Sequence, residues 1–193
     1  GNVSLYNEGG GGPIYPTPIV GMVGKLPEPG SVPRTGFASP GHAVALVGPF
    51  RPALDGSELE KLRGRLAGGL PAVDLAEQAA ALEALRAAAR TGELATVHDV
   101  ADGGLAVALA ECCIEGGVGA RIELPSTDDA ALFGEGPGGA VLAGPPEAVR
   151  RVPGARVIGE TGGDSLEIAG AFSLPLERLR STYEGTIPAA FAV

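Results

Sequence analysis

The sequence predicts an α+β domain in which helices cover a layered, partly antiparallel sheet, with a segment of different character in front of it. From residue 42 onward, short apolar runs typical of strands mix with amphipathic stretches typical of helices. They do not follow the strict strand–helix–strand rhythm of a parallel sheet. The 193 residues suit one domain with a small attachment, and 45% hydrophobic against 19% charged residues allow a buried core.

The strands are predicted at short runs rich in β-branched and aliphatic residues that are bounded by Gly, Pro or polar residues. They comprise residues 42–49, 95–100, 119–124, 139–144, 156–160 and 165–170. The helices are predicted at 56–69, 74–92, 102–116 and 145–151, the last of them started by proline.

The helix at 74–92 carries the clearest end signals. Asp74 followed by Glu77 forms a capping box, and Gly92 can end the helix. Leu75, Ala79, Leu82 and Leu85 form its apolar face at helical spacing. In the next helix, Asp102 is the predicted N-cap, and the helix is expected to end at Gly116.

Residues 1–40 differ from the rest because they hold few helix formers and many Gly and Pro. "TPIVGMVG" predicts a strand, and 25–41 reads as a linker or surface excursion. One strand and a loop cannot bury a core of their own. We therefore expect two parts: 1–40 as the tail of a preceding domain plus linker, and 41–193 as the independently stable domain.

The composition excludes several classes of protein. A net charge of -9 with scattered basic residues argues against nucleic-acid binding, which depends on Lys and Arg at phosphates. The sequence contains no apolar run of the roughly 20 residues that a membrane helix needs, so we expect a cytoplasmic protein without membrane contact. Cys112 and Cys113 are neighbours on one helix, which favours reduced thiols over a disulfide.

Two motifs have competing structural and functional interpretations. "GEGPGG" at 134–139 matches a dinucleotide fingerprint only formally, because it leads into a strand and does not open a helix, so we interpret it as a loop. "HDVADGGLAVALAE" at 98–111 is explained by a strand, a turn and a helix start. Two glycines at a helix start also expose N–H groups to an anion, but the structural interpretation is favoured.

The stretch "GNVSLYNE" at 1–8 has the composition of a binding site. Asn2 offers a neutral oxygen suited to Mg²⁺, and Ser4 offers a hydroxyl that can donate to phosphate. Gly1 lets a ligand approach the backbone. Taken alone, the stretch is better explained as an ordinary polar turn before a strand.

Several motifs in this order resemble the phosphoribosylformylglycinamidine (FGAM) synthases. They are "GNVSLYNE" with "IYPTPIVGMVG", "HDVADGGLAVALAE", "LFGE" and "IGETGGDSLEI". The likeness is to the C-terminal end of the synthetase chain, in its second aminoimidazole-ribonucleotide-synthetase-like repeat. It covers nearly the whole sequence, which suggests the tail of a much larger enzyme.

The resemblance implies an ATP- and Mg²⁺-dependent carbon–nitrogen ligase of purine biosynthesis. Formylglycinamide ribonucleotide (FGAR), glutamine and ATP would give FGAM, glutamate, ADP and phosphate. By the same resemblance, Gly1 contacts ATP, Asn2 binds magnesium and Ser4 contacts the ribonucleotide. The implied partners are the rest of the synthetase chain, a glutaminase and small accessory subunits.

The resemblance carries over no catalytic residue, because the catalytic histidines of these enzymes lie in the first repeat. Two departures are visible. Ala101 stands where the family has Ser, and "GPGGAV" follows "LFGE" where the family continues towards Arg, which argues against a substrate role for that loop. The alternatives are another ATP-dependent member of the superfamily, such as an aminoimidazole ribonucleotide or selenophosphate synthetase, or a purely structural domain.

Overall fold

A mixed sheet of seven strands organises the part of the protein that the computed structural model describes, residues 8–13, 20–26, 30, 32–65, 69 and 72–191. A two-stranded hairpin, β1 (Glu8–Gly9) and β2 (Gly12–Pro13), forms a second, separate sheet. The sheet strands are β3 (Ala43–Val47), β4 (Thr96–Asp99), β5 (Ala120–Ile122), β6 (Ala140–Gly144), β7 (Arg156–Thr161), β8 (Ser165–Ile168) and β9 (Phe172–Pro175). The helices are α1 (Glu58–Leu62), α2 (Leu75–Arg90), α3 (Gly104–Gly116), α4 (Asp129–Phe133), α5 (Pro146–Arg150) and α6 (Leu176–Phe191).

The strand order is β4-β6-β3-β7-β5-β8-β9, and all the recorded ladders in it are antiparallel except β5 with β8. The central strands β3 and β6 are buried along their whole length, as expected for apolar runs covered on both faces. The predicted partly antiparallel sheet is therefore confirmed, and each predicted strand from residue 42 onward overlaps an observed one.

One apolar cluster lies on each side of the sheet. The larger cluster joins α3 to the sheet through residues such as Leu109, Ile122 and Leu166. The smaller cluster joins the other face to α5 and α2 through Leu142 and Val149. No described helix is long and apolar enough to cross a membrane.

Helix α2 confirms its predicted cap but not its predicted face. The Asp74 side chain accepts hydrogen bonds from the N–H groups of Ala76 and Glu77, so the helix begins where expected. Leu75 and Leu82, however, are 78% and 60% exposed, while Leu85 and Ala88 pack on the smaller cluster. Alanines occur on all sides of this helix, so its sequence does not single out one apolar face.

The segment that we interpreted as a linker packs on the domain from Arg34 onward. The Arg34 N–H donates to the Ala95 carbonyl, and the Phe37 N–H donates to the Cys112 carbonyl. Phe37 is fully buried in the larger cluster. The buried Thr96 hydroxyl donates to the Gly36 carbonyl at 2.9 Å. The division at residue 40 stays a prediction, but residues 34–40 belong structurally with the sheet.

The strand predicted for "TPIVGMVG" is not observed in its described half, residues 20–24. Residues 17–19 lie outside the described residues. Val20, Met22 and Val23 are 90–100% exposed. A strand needs a neighbouring strand to satisfy its backbone groups, and the described part of the chain offers this segment none.

Limited proteolysis is expected to cut between residues 20 and 33 and to leave a resistant product that begins near Arg34. Exposed segments outside regular structure are the preferred sites of cleavage, whereas the backbone of 34–37 is hydrogen-bonded to the domain. Mass spectrometry of the first stable product locates the cut. An early cut at 36–41, or inside α2 and α3, would contradict this assignment.

Candidate functional site

The three residues with predicted ligand roles, Gly1, Asn2 and Ser4, lie outside the described residues. Their expected contacts with ATP, magnesium and the ribonucleotide therefore stay predictions. The described residues begin at β1, and Gly10 and Gly11 form the turn between β1 and β2 with φ values of 60° and 94°.

The "HDVADGG" segment joins the sheet to α3 as predicted, but its cap differs. The N-cap residue is Gly103, in the left-handed region at φ 84°, and it has no side-chain cap of its own. The prediction of Asp102 as N-cap is therefore wrong, because the left-handed step at Gly103 leaves Asp102 one position outside the helix. Gly104 is also required, since a Cβ there would lie 2.6 Å from the Gly134 carbonyl oxygen.

Glu135 of the "LFGE" motif supplies the missing cap from a distant part of the chain. Its Oε1 accepts the Gly103 N–H and the Glu58 N–H, each at 2.8 Å. Its backbone also pairs with Ala53 in both directions, at 2.8 and 3.0 Å. One carboxylate therefore meets the N-terminal ends of α1 and α3, where helix dipoles favour negative charge.

This arrangement favours the structural interpretation of the α3 start over an anion site. The Gly103 N–H is bonded to Glu135, and the Gly104 N–H donates to the Ala101 carbonyl at 3.1 Å. The N–H groups of both glycines are thus engaged by the protein itself. The structural interpretation of "HDVADGG" is supported, and Glu135 is the residue that sequence reasoning missed.

Substituting Glu135 by Ala is expected to lower the free energy of unfolding by about 2–3 kcal/mol, because two N–H groups at helix starts lose a charged acceptor. Glu135→Gln keeps an acceptor oxygen without the charge, so we expect about half that loss. Urea denaturation followed by circular dichroism measures both. Equal stability of Glu135→Ala and the unsubstituted protein would show that this carboxylate does not hold the two helices.

His98 lies at the edge of a groove between α3 and α6. Its Nδ1 lies 2.6 Å from the Asp99 carbonyl oxygen, and since a carbonyl only accepts, Nδ1 carries the proton. Its Nε2 lies 3.6 Å from Glu111 Oε2, and the imidazole side chain is 15% exposed. His98 is therefore restrained by two contacts within the domain.

The space beside His98, here called the α3–α6 groove, has a volume of about 450 Å³. Carboxylates dominate its wall, with one arginine and one phenol. The polar lining residues are His98, Glu111, Glu115, Arg180, Tyr183 and Glu184. In the described part of the chain, no three His, Cys, Asp or Glu residues are placed to hold one metal ion.

The cysteines and the glycine-rich loop conform to their structural interpretations. Cys112 and Cys113 are free and buried, and burial raises the pKa of the Cys113 thiol to about 12, which keeps it protonated and poorly nucleophilic. "GEGPGG" follows α4 and leads into β6, so the loop interpretation is confirmed.

Comparison with known proteins supplies the family. The family model described as AIR synthase related protein, C-terminal domain, matches residues 39–169, about two thirds of the chain. The chain belongs to this family. Membership in the AIR synthase C-terminal family confirms the expected α+β fold, and the matched range contains β3 to β8, the smaller cluster and all of the larger cluster's buried residues except Phe37.

Curated relatives match beyond that domain. The phosphoribosylformylglycinamidine synthase subunit PurL of Anaeromyxobacter sp. (strain Fw109-5) is 43% identical over 98% of this chain and 27% of the relative. The same subunit of Moorella thermoacetica is 42% identical over 100% of this chain and 28% of the relative. The chain therefore spans a little over a quarter of the length of these relatives.

Solved structures show the same fold. Thermotoga maritima PurL complexed with FGAR has a TM-score of 0.64 at 17% identity, over 78% of this chain and 29% of that one. Thermotoga maritima PurL complexed with ATP has a TM-score of 0.57 at 17% identity, over 77% of this chain and 27% of that one. PurLQS from the same organism has a TM-score of 0.55 at 16% identity, over 77% of this chain and 27% of the matched chain. At these identities the likeness concerns the fold alone.

Proposed function

We propose that this chain acts as the C-terminal part of an ATP-dependent FGAM synthetase. In that role it takes part in the conversion of FGAR and glutamine to FGAM in purine biosynthesis, a carbon–nitrogen ligation with glutamine as amide donor. The chemistry requires ATP to activate the amide oxygen and ammonia to displace phosphate. The remaining synthetase domains, a glutaminase and small accessory subunits are its proposed partners.

The observation that carries the proposal is the extent of the match to PurL. The Moorella thermoacetica relative aligns with 100% of this chain, including the 38 residues before the family domain. Those residues contain "GNVSLYNE", one of the motifs on which the resemblance to FGAM synthases rests. A match to the fold alone would equally support an aminoimidazole ribonucleotide or selenophosphate synthetase.

Within that function, we assign Gly1 to ATP, Asn2 to magnesium and Ser4 to the ribonucleotide. When bound, magnesium neutralises charge on the nucleotide phosphates. A single neutral amide oxygen cannot hold this ion tightly. The other ligands must come from the rest of the synthetase. Cytoplasmic location is proposed with the same function, and two buried free thiols fit a reducing compartment.

A chimeric synthetase tests the proposal. This chain replaces the matching 27% of the Anaeromyxobacter PurL, and FGAM formation is measured with FGAR, ATP, magnesium and ammonia. Activity that depends on FGAR supports the proposal. A folded chimera that hydrolyses no ATP with FGAR, while the unaltered relative does so, would reject it.

The isolated chain is expected to be catalytically silent and to give no saturable heat with magnesium and ATP at submillimolar concentration. Phosphoryl transfer needs positioned positive charge around the nucleotide, whereas the chain carries a net charge of -9. The N–H groups of Gly103 and Gly104 are engaged within the domain. Isothermal calorimetry measures the binding. Micromolar affinity would mean that this chain alone holds a complete nucleotide site.

A further inference from the structure

Helix α6 carries an apolar stripe that begins in the core and continues into solvent. Leu176 and Leu179 pack on the larger cluster. Tyr183, Ile187 and Phe191 continue the same face at a spacing of four residues and are 61%, 69% and 79% exposed. We call these three residues the α6 stripe. Every described side chain from 181 onward on this helix is exposed.

The outer half of α6 lacks the intrinsic preference that would hold it in a helix alone. It contains Gly185 and an internal Pro188. These residues are about 1 and 3 kcal/mol less favourable than Ala in a helix interior. A segment this short is marginal in water even with good helix formers, so packing must stabilise it. The stripe is the face on which such packing can occur.

The inner end of the stripe borders the α3–α6 groove. The charges of the groove therefore indicate which side chains a packing partner needs. Tyr183 lines both features. Glu111, Glu115 and Glu184 surround the groove, while Arg180 is engaged by Glu184 at 3.2 Å and by the Ile114 carbonyl. A partner with apolar side chains along the stripe and a lysine or arginine at the groove complements this surface.

The path of the chain before Arg34 indicates which partner fits the stripe and the groove. The Thr35 hydroxyl donates to the Glu115 carboxylate, and Glu115 lines the groove. The Phe37 N–H donates to α3 at Cys112. The chain before Arg34 therefore leaves the domain at the rim of the groove. Shortly upstream it carries Val20, Met22 and Val23, whose side chains the described residues leave uncovered.

We propose that the α6 stripe and the α3–α6 groove form the docking surface for the domain to which residues 1–33 contribute. This inference rests on the proposed function, in which that domain is the preceding N-terminal-like domain of the synthetase. The stripe and the exposed 20–26 segment are then two parts of one interface between the domains. Docking keeps the outer half of α6 helical, and it holds the seven-stranded domain next to "GNVSLYNE".

Hydrogen exchange read by mass spectrometry compares α6 in the isolated chain and in the chimeric synthetase. In the isolated chain, the amides of residues 183–191, apart from Pro188, which has none, should exchange at close to the rate of an unfolded peptide. In the chimera they should exchange at least about tenfold more slowly. Ile187→Glu should restore fast exchange there. Ser181→Glu, on the opposite face of the helix, should keep slow exchange and serves as the matched control.

Three results would overturn the docking proposal. One is fast exchange of residues 183–191 in the unsubstituted chimera, and another is continued protection in Ile187→Glu. The third is a dimer of the isolated chain in sedimentation velocity that dissociates with Ile187→Glu, since the occupant would then be a second copy. FGAM formation separates the two levels: an active chimera with an unprotected α6 rejects only the docking, and an inactive one with a protected α6 rejects only the proposed function.

Discussion

Replacing Phe37 by alanine is expected to lower the free energy of unfolding by about 3–5 kcal/mol, the usual loss for a buried phenylalanine. Phe37 is fully buried and packs in the larger cluster. The Phe37 backbone is also packed directly on the end of α3, where a Cβ on Gly116 would lie 2.1 Å from the Phe37 carbonyl oxygen. Domains of this size are commonly stable by about 5–15 kcal/mol, so this single side chain supports a large share of the fold.

Val32→Ala is the matched control, since Val32 lies five residues upstream and is half exposed. Its effect should stay within about 0.5 kcal/mol. Urea denaturation of both variants gives the comparison, and circular dichroism at low urea shows whether Phe37→Ala still folds. Similar stability of the two variants would mean that residues 34–37 are an attachment and that the domain begins near residue 39, where the family match begins.

The elements that sequence reasoning predicted share strong local signals. Strands β3 and β6 are uninterrupted apolar runs between glycines and prolines, and α2 begins at a cap whose bonds connect residues two and three positions apart. Helix α5 begins with proline, and α3 ends before the left-handed Gly117. In each case the cause lies within a few residues, so the sequence displays it directly.

The elements and roles that it missed depend on distant contacts. Helix α6 contains a glycine and a proline, and it is tied to the domain through Leu176, Leu179 and Arg180. Glu135 caps a helix that begins 31 residues earlier, at Gly104, and no local pattern announces such a contact. Strand β9 and helix α4 were missed as well, although α4 has a local cap in which the Asp128 side chain accepts the Ala131 N–H.

The candidate site likewise has a part that the sequence displays locally and a part that depends on distant segments of the chain. Taken alone, "GNVSLYNE" favoured an ordinary polar turn, and only the resemblance to FGAM synthases supplied the roles of Gly1, Asn2 and Ser4. Three residues at one point of the sequence cannot enclose a nucleotide. A site of that kind is assembled from segments far apart in the chain, and the curated relatives are almost four times as long as the segment that matches.

Substituting Asn2 by alanine in the chimeric synthetase is expected to lower turnover at least about tenfold at limiting magnesium, with a smaller loss at saturating magnesium. The proposed role is a neutral oxygen ligand, and its removal weakens the metal–nucleotide complex without emptying a core. Asn2→Asp retains an oxygen at the same position, so it should recover part of the activity. Asn7→Ala makes the same chemical change in the same stretch and should leave the magnesium dependence unchanged.

Three measurements together make the Asn2 experiment decisive. ADP release is followed as a function of magnesium concentration, FGAM formation confirms that release is coupled to synthesis, and thermal unfolding checks that each variant keeps its fold. A ligand role predicts that Asn2→Ala shifts the magnesium dependence to higher concentration at unchanged thermal stability. If Asn2→Ala and Asn7→Ala showed the same magnesium dependence, Asn2 would not be a metal ligand. If Asn2→Ala also lowered the melting temperature, the polar-turn interpretation of "GNVSLYNE" would account for its effect instead.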